Sequence, residues 1–400
     1  MALYPALAGL RKGFYPTVVD CSIASLILYY DIGILAEMSG LQPDNRYFAP
    51  FFQTGGSNIV WCFVLLCLAP WLLRLGGVVI VVERRKANRR SRLVGSRVIL
   101  FFLLSVIATI ACLYIAYLHV SMDAIWVTRS ELSTKLGPTI ILLYLPMYIL
   151  MFFIQQKESS SFIGTLFSAI LVVASIACTV FIGQRTLVLM PILAFGLFRS
   201  RASLRRFALM SAFALVAAAA LLPIFKWQFA EQESFMELAK STVVSDFHRG
   251  PILAETVEKS PAFGSSVLPY PGEGYVYSAL FFVPRSLVWF KGNSTAQVFT
   301  AAEDNNTVEG TDWGFGISAI DELLLNFGKV LSIPGLALYG ILLSLLDRLG
   351  TKIPTCAVPV RFCGIWLMGY QLPALLMLFG GMILVAVALS FLFARTEQIH

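Results

Sequence analysis

The run VILFFLLSVIATIACLYIAYLHV, residues 98–120, contains no Asp, Glu, Lys or Arg. As a helix it is about 35 Å long, enough to cross a hydrocarbon core of about 30 Å. Such a segment has few alternatives in lipid, where each backbone N–H and C=O must be bonded within the structure. Similar runs recur along the chain. Ten spans are expected, at about 18–37, 59–82, 98–120, 138–154, 162–183, 186–198, 207–224, 323–345, 358–370 and 374–394. Composition agrees: 58% of residues are hydrophobic and 13% charged, with a mean hydropathy of +0.78. Soluble domains carry roughly 25% charged residues, so this chain cannot cover a globule with polar side chains. The expected class is an all-α polytopic membrane protein. MALYPALAGLRKGFYPTVV has no apolar core followed by a small-residue cleavage site, so no signal peptide is expected.

Positive charge sets the orientation. ERRKANRRSRLVGSR, residues 83–97, holds seven Lys and Arg residues and is expected in the cytoplasm. Alternation from there sends Arg11, Lys12, Lys157, Arg199, Arg201, Arg205, Arg206, Arg348, Lys352 and Arg395 to the same side. The opposite short loops keep only Arg46, Arg129, Lys135 and Arg185. The chain then divides into helices 1–7 (1–224), a large outer loop (225–322) and helices 8–10 (323–400).

The net charge of +7 reads as loop anchoring and attraction to anionic lipid; no nucleic-acid partner is expected. All seven cysteines fall in spans or a cytoplasmic loop, so disulfides are not expected. No Cys/His cluster has zinc spacing, and no Walker A loop, G-x-G-x-x-G or internal repeat occurs.

The outer loop mixes polar and apolar pieces. Residues 226–250 suit one or two amphipathic helices, and ILAETVEKSP a short helix ended by Pro261. FGSSVLPYPGEGYVY is turn-rich. SALFFVPRSLVWFKG is apolar, too short to span and broken by Pro284, so it reads as interfacial or re-entrant. It places Arg285 and Lys291 at the outer membrane surface, at the depth of Arg185 in the hairpin FIGQRTLVLMP. Snorkelling to lipid phosphate is one account of these cations. The other is a site for a membrane-tethered phosphate or diphosphate, to which the planar fork of Arg is suited.

These stretches resemble the O-antigen polymerases of bacterial envelopes, the enzymes that polymerise oligosaccharide repeat units. The resemblance rests on Gly183 and Arg185 in the hairpin, then Pro284, Arg285, Trp289 and Lys291, then Gly314, Gly316, Ser318, Glu322, Asn326, Phe327 and Gly328 in GFGISAIDELLLNFG. It covers residues 183–328 by motif and the chain by topology. Asp321 departs from the pattern, which has a neutral residue there. The resemblance implies a GT-C-like glycosyltransferase of the inner membrane with its active site facing the periplasm. Both donor and acceptor would be glycans on undecaprenyl diphosphate, and a chain-length regulator would be a partner. No nucleotide sugar, metal or other cofactor is implied.

The residues suit that chemistry. Departure of a lipid diphosphate builds negative charge that guanidinium groups stabilise. Arg185 and Arg285 are the first candidates, with Arg249 and Lys291 next. The acceptor hydroxyl needs a base, and Glu322, Asp321, Glu273 and His248 are candidates. For Asp321 and Glu322 the competing role is stabilisation of a helix N-terminus. For His248 it is that of a solvated loop residue. Tyr270, Tyr275, Tyr277, Trp289 and Trp313 suit stacking on sugar faces, or an aromatic interfacial belt. Two other functions compete. An O-antigen ligase would use the same donor but calls for a histidine late in the loop, and none lies between 249 and 399. A transporter of lipid-linked glycans calls for inverted repeats and mid-membrane polar groups, whereas the main interior charges here are Asp31 and Arg74.

Overall fold

The computed structural model describes residues 17–40, 48–53, 55–78, 91–93, 97–119, 142–156, 161–181, 190–192, 194, 248–280, 283, 286–305, 307–308 and 316–396. Its long elements are the helices α1 (Val18–Met38), α2 (Gly56–Val78), α3 (Val98–His119), α4 (Leu145–Phe153) and α5 (Phe162–Phe181). Three short helices follow, α6 (Gly250–Lys259), α7 (Glu273–Ala279) and α8 (Thr295–Glu303). The chain continues with α9 (Ala319–Lys352), α10 (Ala357–Trp366), α11 (Leu372–Leu375) and α12 (Gly381–Phe393). One short antiparallel pairing, β1 (Ser91–Leu93) with β2 (Ala394–Thr396), joins the approach to α3 to the exit from α12.

Five helices, α1, α2, α3, α5 and α9, are long and apolar enough to cross a membrane. Their outward faces are apolar, as at Ile107, Ile110, Phe162 and Val173. Hydroxyls on these helices bond their own preceding turn, Thr109 to the Ser105 carbonyl and Ser175 to that of Leu171, which removes the cost of a bare donor in lipid. α2 and α9 meet backbone to backbone at Gly76 and Gly340, where any Cβ would collide with the partner helix.

The expected spans at 138–154 and 374–394 appear as shorter apolar helices, Leu142–Phe153 and Leu378–Phe393. That at 358–370 is the ten-residue α10, which ends at Trp366 and leads through a turn to Gln371, the extended N-cap of α11. The expected spans at 186–198 and 207–224 and the amphipathic stretch 226–247 lie almost wholly outside the described residues. Of the basic run 83–97, the described residues are 91–93 and 97.

Two irregularities shape the end of the bundle that carries α6–α8. α1 passes through a π turn, Ile27–Asp31, which carries the buried Tyr29 and Tyr30. There the Tyr29 carbonyl takes the Arg249 N–H (2.9 Å) and the Tyr30 hydroxyl bonds Ser318 Oγ (2.6 Å). α9 is broken at Gly328 (φ 82°), where a Cβ would meet the carbonyl oxygens of Pro261 and Ala262. Those carbonyls accept the N–H groups of Lys329 and Val330 at 2.9 and 3.0 Å, so the break leaves neither donor bare. Residues 319–327 are therefore a half-helix roofed by α6–α8, and the part from Lys329 to Lys352, about 36 Å long, has the length of a span.

Candidate functional site

The half-helix 319–327 begins with a capping box. Ser318 Oγ accepts from the N–H groups of Ile320 and Asp321, and Asp321 Oδ2 accepts from Ser318 N–H at 2.8 Å. Asp321 is fully buried, and its other oxygen takes the Thr256 hydroxyl of α6 at 3.1 Å. Both oxygens are committed, so Asp321 fastens α6 to the start of α9. Of the two roles weighed for it, the helix-end role matches this geometry.

Glu322, one residue on, has turned about 100° around the helix and meets a different wall. Its Oε2 accepts the Leu372 N–H at 3.0 Å, while Oε1 has no hydrogen-bond partner among the described residues. Further along, Asn326 is also buried. Its Oδ1 accepts the Gly274 N–H (3.0 Å), and its Nδ2 donates to the Glu322 carbonyl (2.7 Å) and to Thr295 Oγ1 (3.2 Å).

Glu273, the first residue of α7, is 2% exposed. Its Oε1 accepts the Asn293 N–H at 2.9 Å and its Oε2 is buried without a partner. Gly292 (φ 70°) makes this approach possible, because a Cβ there would stand 2.5 Å from Glu273 Cγ. Next to Asn293, the Ser294 hydroxyl donates to Gln371 Oε1 at 2.6 Å. The contacts thus close a ring that runs Glu273, Asn293–Ser294, Gln371–Leu372, Glu322, Asn326, Gly274 and back to Glu273. It joins α7, the start of α8, the half-helix and the turn before α11.

Two expectations are corrected. His248 is not a solvated loop residue but is 4% exposed, with Nε2 2.6 Å from Glu37 Oε2. Glu37 also accepts the N–H groups of Phe51 and Phe52, each at 3.1 Å, so it ties the end of α1 to that turn and to the approach to α6. His248 Nδ1 has no partner and is packed against Gly33, where a Cβ would overlap it. Neither ring nitrogen is open to an acceptor hydroxyl, which removes the geometric basis for His248 as the base. Burial pushes the imidazole below its ordinary pKa, against the opposing pull of the Glu37 hydrogen bond and charge.

Lys291 likewise does not extend outward as a snorkelling side chain would. It is 8% exposed, its Nζ donates to the Val283 carbonyl at 2.8 Å, and it lies 5.4 Å from the centroid of the Tyr277 ring. The ammonium thus meets a carbonyl of its own loop. Arg249 is half-buried and also turned to carbonyls, with Nη1 on Gly316 O and Nη2 on Gly369 O (3.3 Å).

Of the aromatic candidates, Trp289 stands 91% exposed, and Tyr270 is exposed with its hydroxyl on the Phe290 carbonyl (3.4 Å). Tyr275 turns inward, its ring stacked on Phe327 at 5.4 Å and its hydroxyl 3.1 Å from that of Tyr339. Burial raises the Tyr275 phenol well above its ordinary pKa, with the neighbouring Tyr339 adding to the shift. Arg185, Arg285 and Trp313 lie outside the described residues.

Glu37, Thr256, Ser294 and Gln371 escaped the sequence reading. The signals for two of them were an acid at the end of an apolar run, LAEM, and a polar residue in the short break between the expected spans at 358–370 and 374–394. Among the described residues no group of three or more His, Cys, Asp or Glu is placed to hold a metal ion. No family model, curated protein or solved structure matches the chain.

Proposed function

We propose that the chain is a ten-span, GT-C-like membrane glycosyltransferase of the bacterial inner membrane. In this reading it polymerises oligosaccharide repeat units carried on undecaprenyl diphosphate into O-antigen at the periplasmic face. The observation that carries the reading is the ring. Stretches that are far apart in sequence, and that carry the resemblance, close around two buried carboxylates: KGNS follows the Pro-Arg segment, and Glu322 and Asn326 belong to GFGISAIDELLLNFG.

The roles follow from free valences. Glu322, with one oxygen fixed by Leu372 N–H and the other open, takes the proton of the acceptor hydroxyl. The hydroxyl oxygen bonds the anomeric carbon of the donor as that carbon's bond to the diphosphate oxygen breaks. Undecaprenyl diphosphate leaves with the bonding pair, and displacement from the opposite face inverts the centre. Arg185 and Arg285 neutralise the charge that develops on the diphosphate, a contribution of several kcal/mol, about 3 for a single donor of this kind. Arg249 binds beside them only by releasing the carbonyls it now holds. A chain-length regulator and the surrounding lipids complete the partners.

The test is the lipopolysaccharide of a deletion strain. A core bearing a single repeat, restored to a ladder by the wild-type gene, supports polymerisation. Unsubstituted core with lipid-linked polymer accumulating assigns the chain to ligation. Loss of lipid-linked glycan from the periplasmic face assigns it to transport. The last two outcomes overturn the proposal.

A further inference from the structure

The ring leaves three hydrogen-bonding valences unfilled among the described residues. Glu273 Oε2 is a buried acceptor without a partner. Glu322 Oε1 is a second acceptor, because the bond to Leu372 N–H uses Oε2. The third is a donor: the Ser294 hydroxyl occupies Gln371 Oε1, which leaves the Nε2 amide hydrogens. Gly292, Asn293, Gln371 and Leu372 are half-buried, whereas Glu273, Ser294, Glu322 and Asn326 are buried. A ligand therefore approaches from the Gln371 side, with the carboxylates beneath.

Two anionic acceptors and one neutral amide donor do not suit a phosphate, which needs donors. They do suit a polyhydroxylated ligand. Each sugar hydroxyl donates one hydrogen and accepts through its lone pairs, and neighbouring hydroxyls satisfy an amide and a carboxylate together. A buried group without a partner destabilises the fold, and a ligand that supplies the partner recovers that cost.

We infer that Gln371 and Glu273 form the subsite that recognises the terminal sugar of the acceptor through at least two of its hydroxyls, beside the reacting hydroxyl at Glu322. The inference rests on the polymerase reading and deepens it. Gln371 is the specificity-determining donor, fixed by Ser294. Glu273 is the acceptor, fixed by Asn293 N–H in a space that only a glycine at 292 leaves open.

Two nearly isosteric substitutions isolate the free valences and keep the ring. Gln371→Glu retains an oxygen for Ser294 but removes the donor. Glu273→Gln retains an oxygen for Asn293 N–H but replaces the free acceptor with a donor. Membranes holding each full-length variant at wild-type level are given lipid-linked single repeats extracted from the deletion strain. The free repeat oligosaccharide, released by mild acid, is the competitor. The wild type should be inhibited by this oligosaccharide. In each variant the inhibitory concentration and the KM for single repeats should rise about tenfold or more, in line with loss of a hydroxyl contact. The limiting rate should stay within about threefold, since neither group takes the proton. Unchanged inhibition and KM in both variants, with a normal wild-type ladder, overturns the subsite and leaves the polymerase reading standing. A fall in limiting rate alone overturns it also. A wild type that makes no ladder overturns the reading itself.

Discussion

The two ends of the helix bundle differ in whether a carboxylate is paired directly with a cation. At the end bearing the β1–β2 pairing, Asp20 is ion-paired with Arg74 at 2.6 Å, and Asp347 receives the Val18 N–H at 3.4 Å. At the other end, Asp321, Glu322 and Glu273 are held by backbone N–H groups and hydroxyls, and none is ion-paired with a cationic side chain among the described residues. Cations stand nearby, but Arg249 through Nη1 and Nη2 and Lys291 through Nζ donate to carbonyls. A direct ion pair cancels its own field and leaves little for a ligand. A carboxylate held through one oxygen keeps the other for chemistry. The first end is built as a fastening, the second as a place where something else binds.

Glu322→Gln is the substitution most able to break this contrast, and its expected effect is the largest. Loss of a general base slows the reaction about 10²–10⁴-fold, so the glycan ladder should collapse to single repeats while insertion stays normal. A wild-type ladder from this variant makes the second end a fastening too. Asp321→Ala should behave differently. It strips a capping box and leaves the Ser318 N–H without its acceptor, at about 1–3 kcal/mol, while the Thr256 hydroxyl keeps the Leu253 carbonyl. The folded yield should fall, with activity per folded molecule preserved.

Arg285→Lys comes next. A planar fork grips a diphosphate through two parallel bonds, which a lysine cannot reproduce. Most polymerisation should be lost at normal expression, and Arg185→Lys should match it. A normal ladder from Arg285→Lys sinks the clamp.

Much of the architecture was legible because its signals are local. The runs at 18–37, 98–120 and 162–183 appear as helices at nearly the expected bounds, since an uninterrupted apolar run has no other way to satisfy its backbone in lipid. The helix at ILAETVEKS was equally readable from its flanking prolines. The ring was not, because three of its members act through backbone N–H groups, Gly274, Asn293 and Leu372, which carry no side-chain signature. Asp321 and Glu322 looked equivalent as neighbours in sequence, yet one helical step sends one into a cap and the other onto a second wall. Lys291 and His248 were misjudged for one reason. Their partners, the Val283 carbonyl and Glu37, are supplied by chain folding and not by sequence spacing.

At the fastening end, Arg74→Met should cost about 2–3 kcal/mol of stability, between the values for exposed and buried pairs, because it leaves the partly exposed Asp20 (17%) without its cation. Adding Asp20→Asn should restore much of the loss, as measured by the Tm of the purified protein in detergent. Specific activity should not change in either variant. A drop in specific activity from Arg74→Met alone would couple the two ends and dissolve the distinction between them.

Lys291→Met is expected to act more weakly. It keeps an apolar stem but deprives the Val283 carbonyl of its donor and the Tyr277 ring of its cation, about 1–2 kcal/mol together. A snorkelling lysine would give no change in Tm, so a silent variant returns Lys291 to the lipid surface.

The smallest effect belongs to His248, and it tests whether Glu37 is held mainly by neutral donors, as the site carboxylates are. Burial lowers the imidazole pKa in the folded state, because a proton on Nδ1 would face Gly33 with no acceptor. The unfolded chain then binds more protons than the folded one as pH falls past the ordinary histidine value. Stability rises with pH wherever the unfolded state holds more protons. The His248 contribution is therefore fully present above that ordinary value and is lost as pH falls through the depressed folded one. The Tm of the wild type should decline on acidification from about pH 7 to pH 5, a window that brackets the ordinary histidine pKa. His248→Gln retains an N–H for Glu37 and has nothing to titrate there, so its decline should be shallower. Parallel curves would show that His248 gains from Glu37 as a cation what it loses by burial. His248 and Glu37 would then be an ion pair like that of Asp20 and Arg74, and the contrast would narrow to Asp321, Glu322 and Glu273.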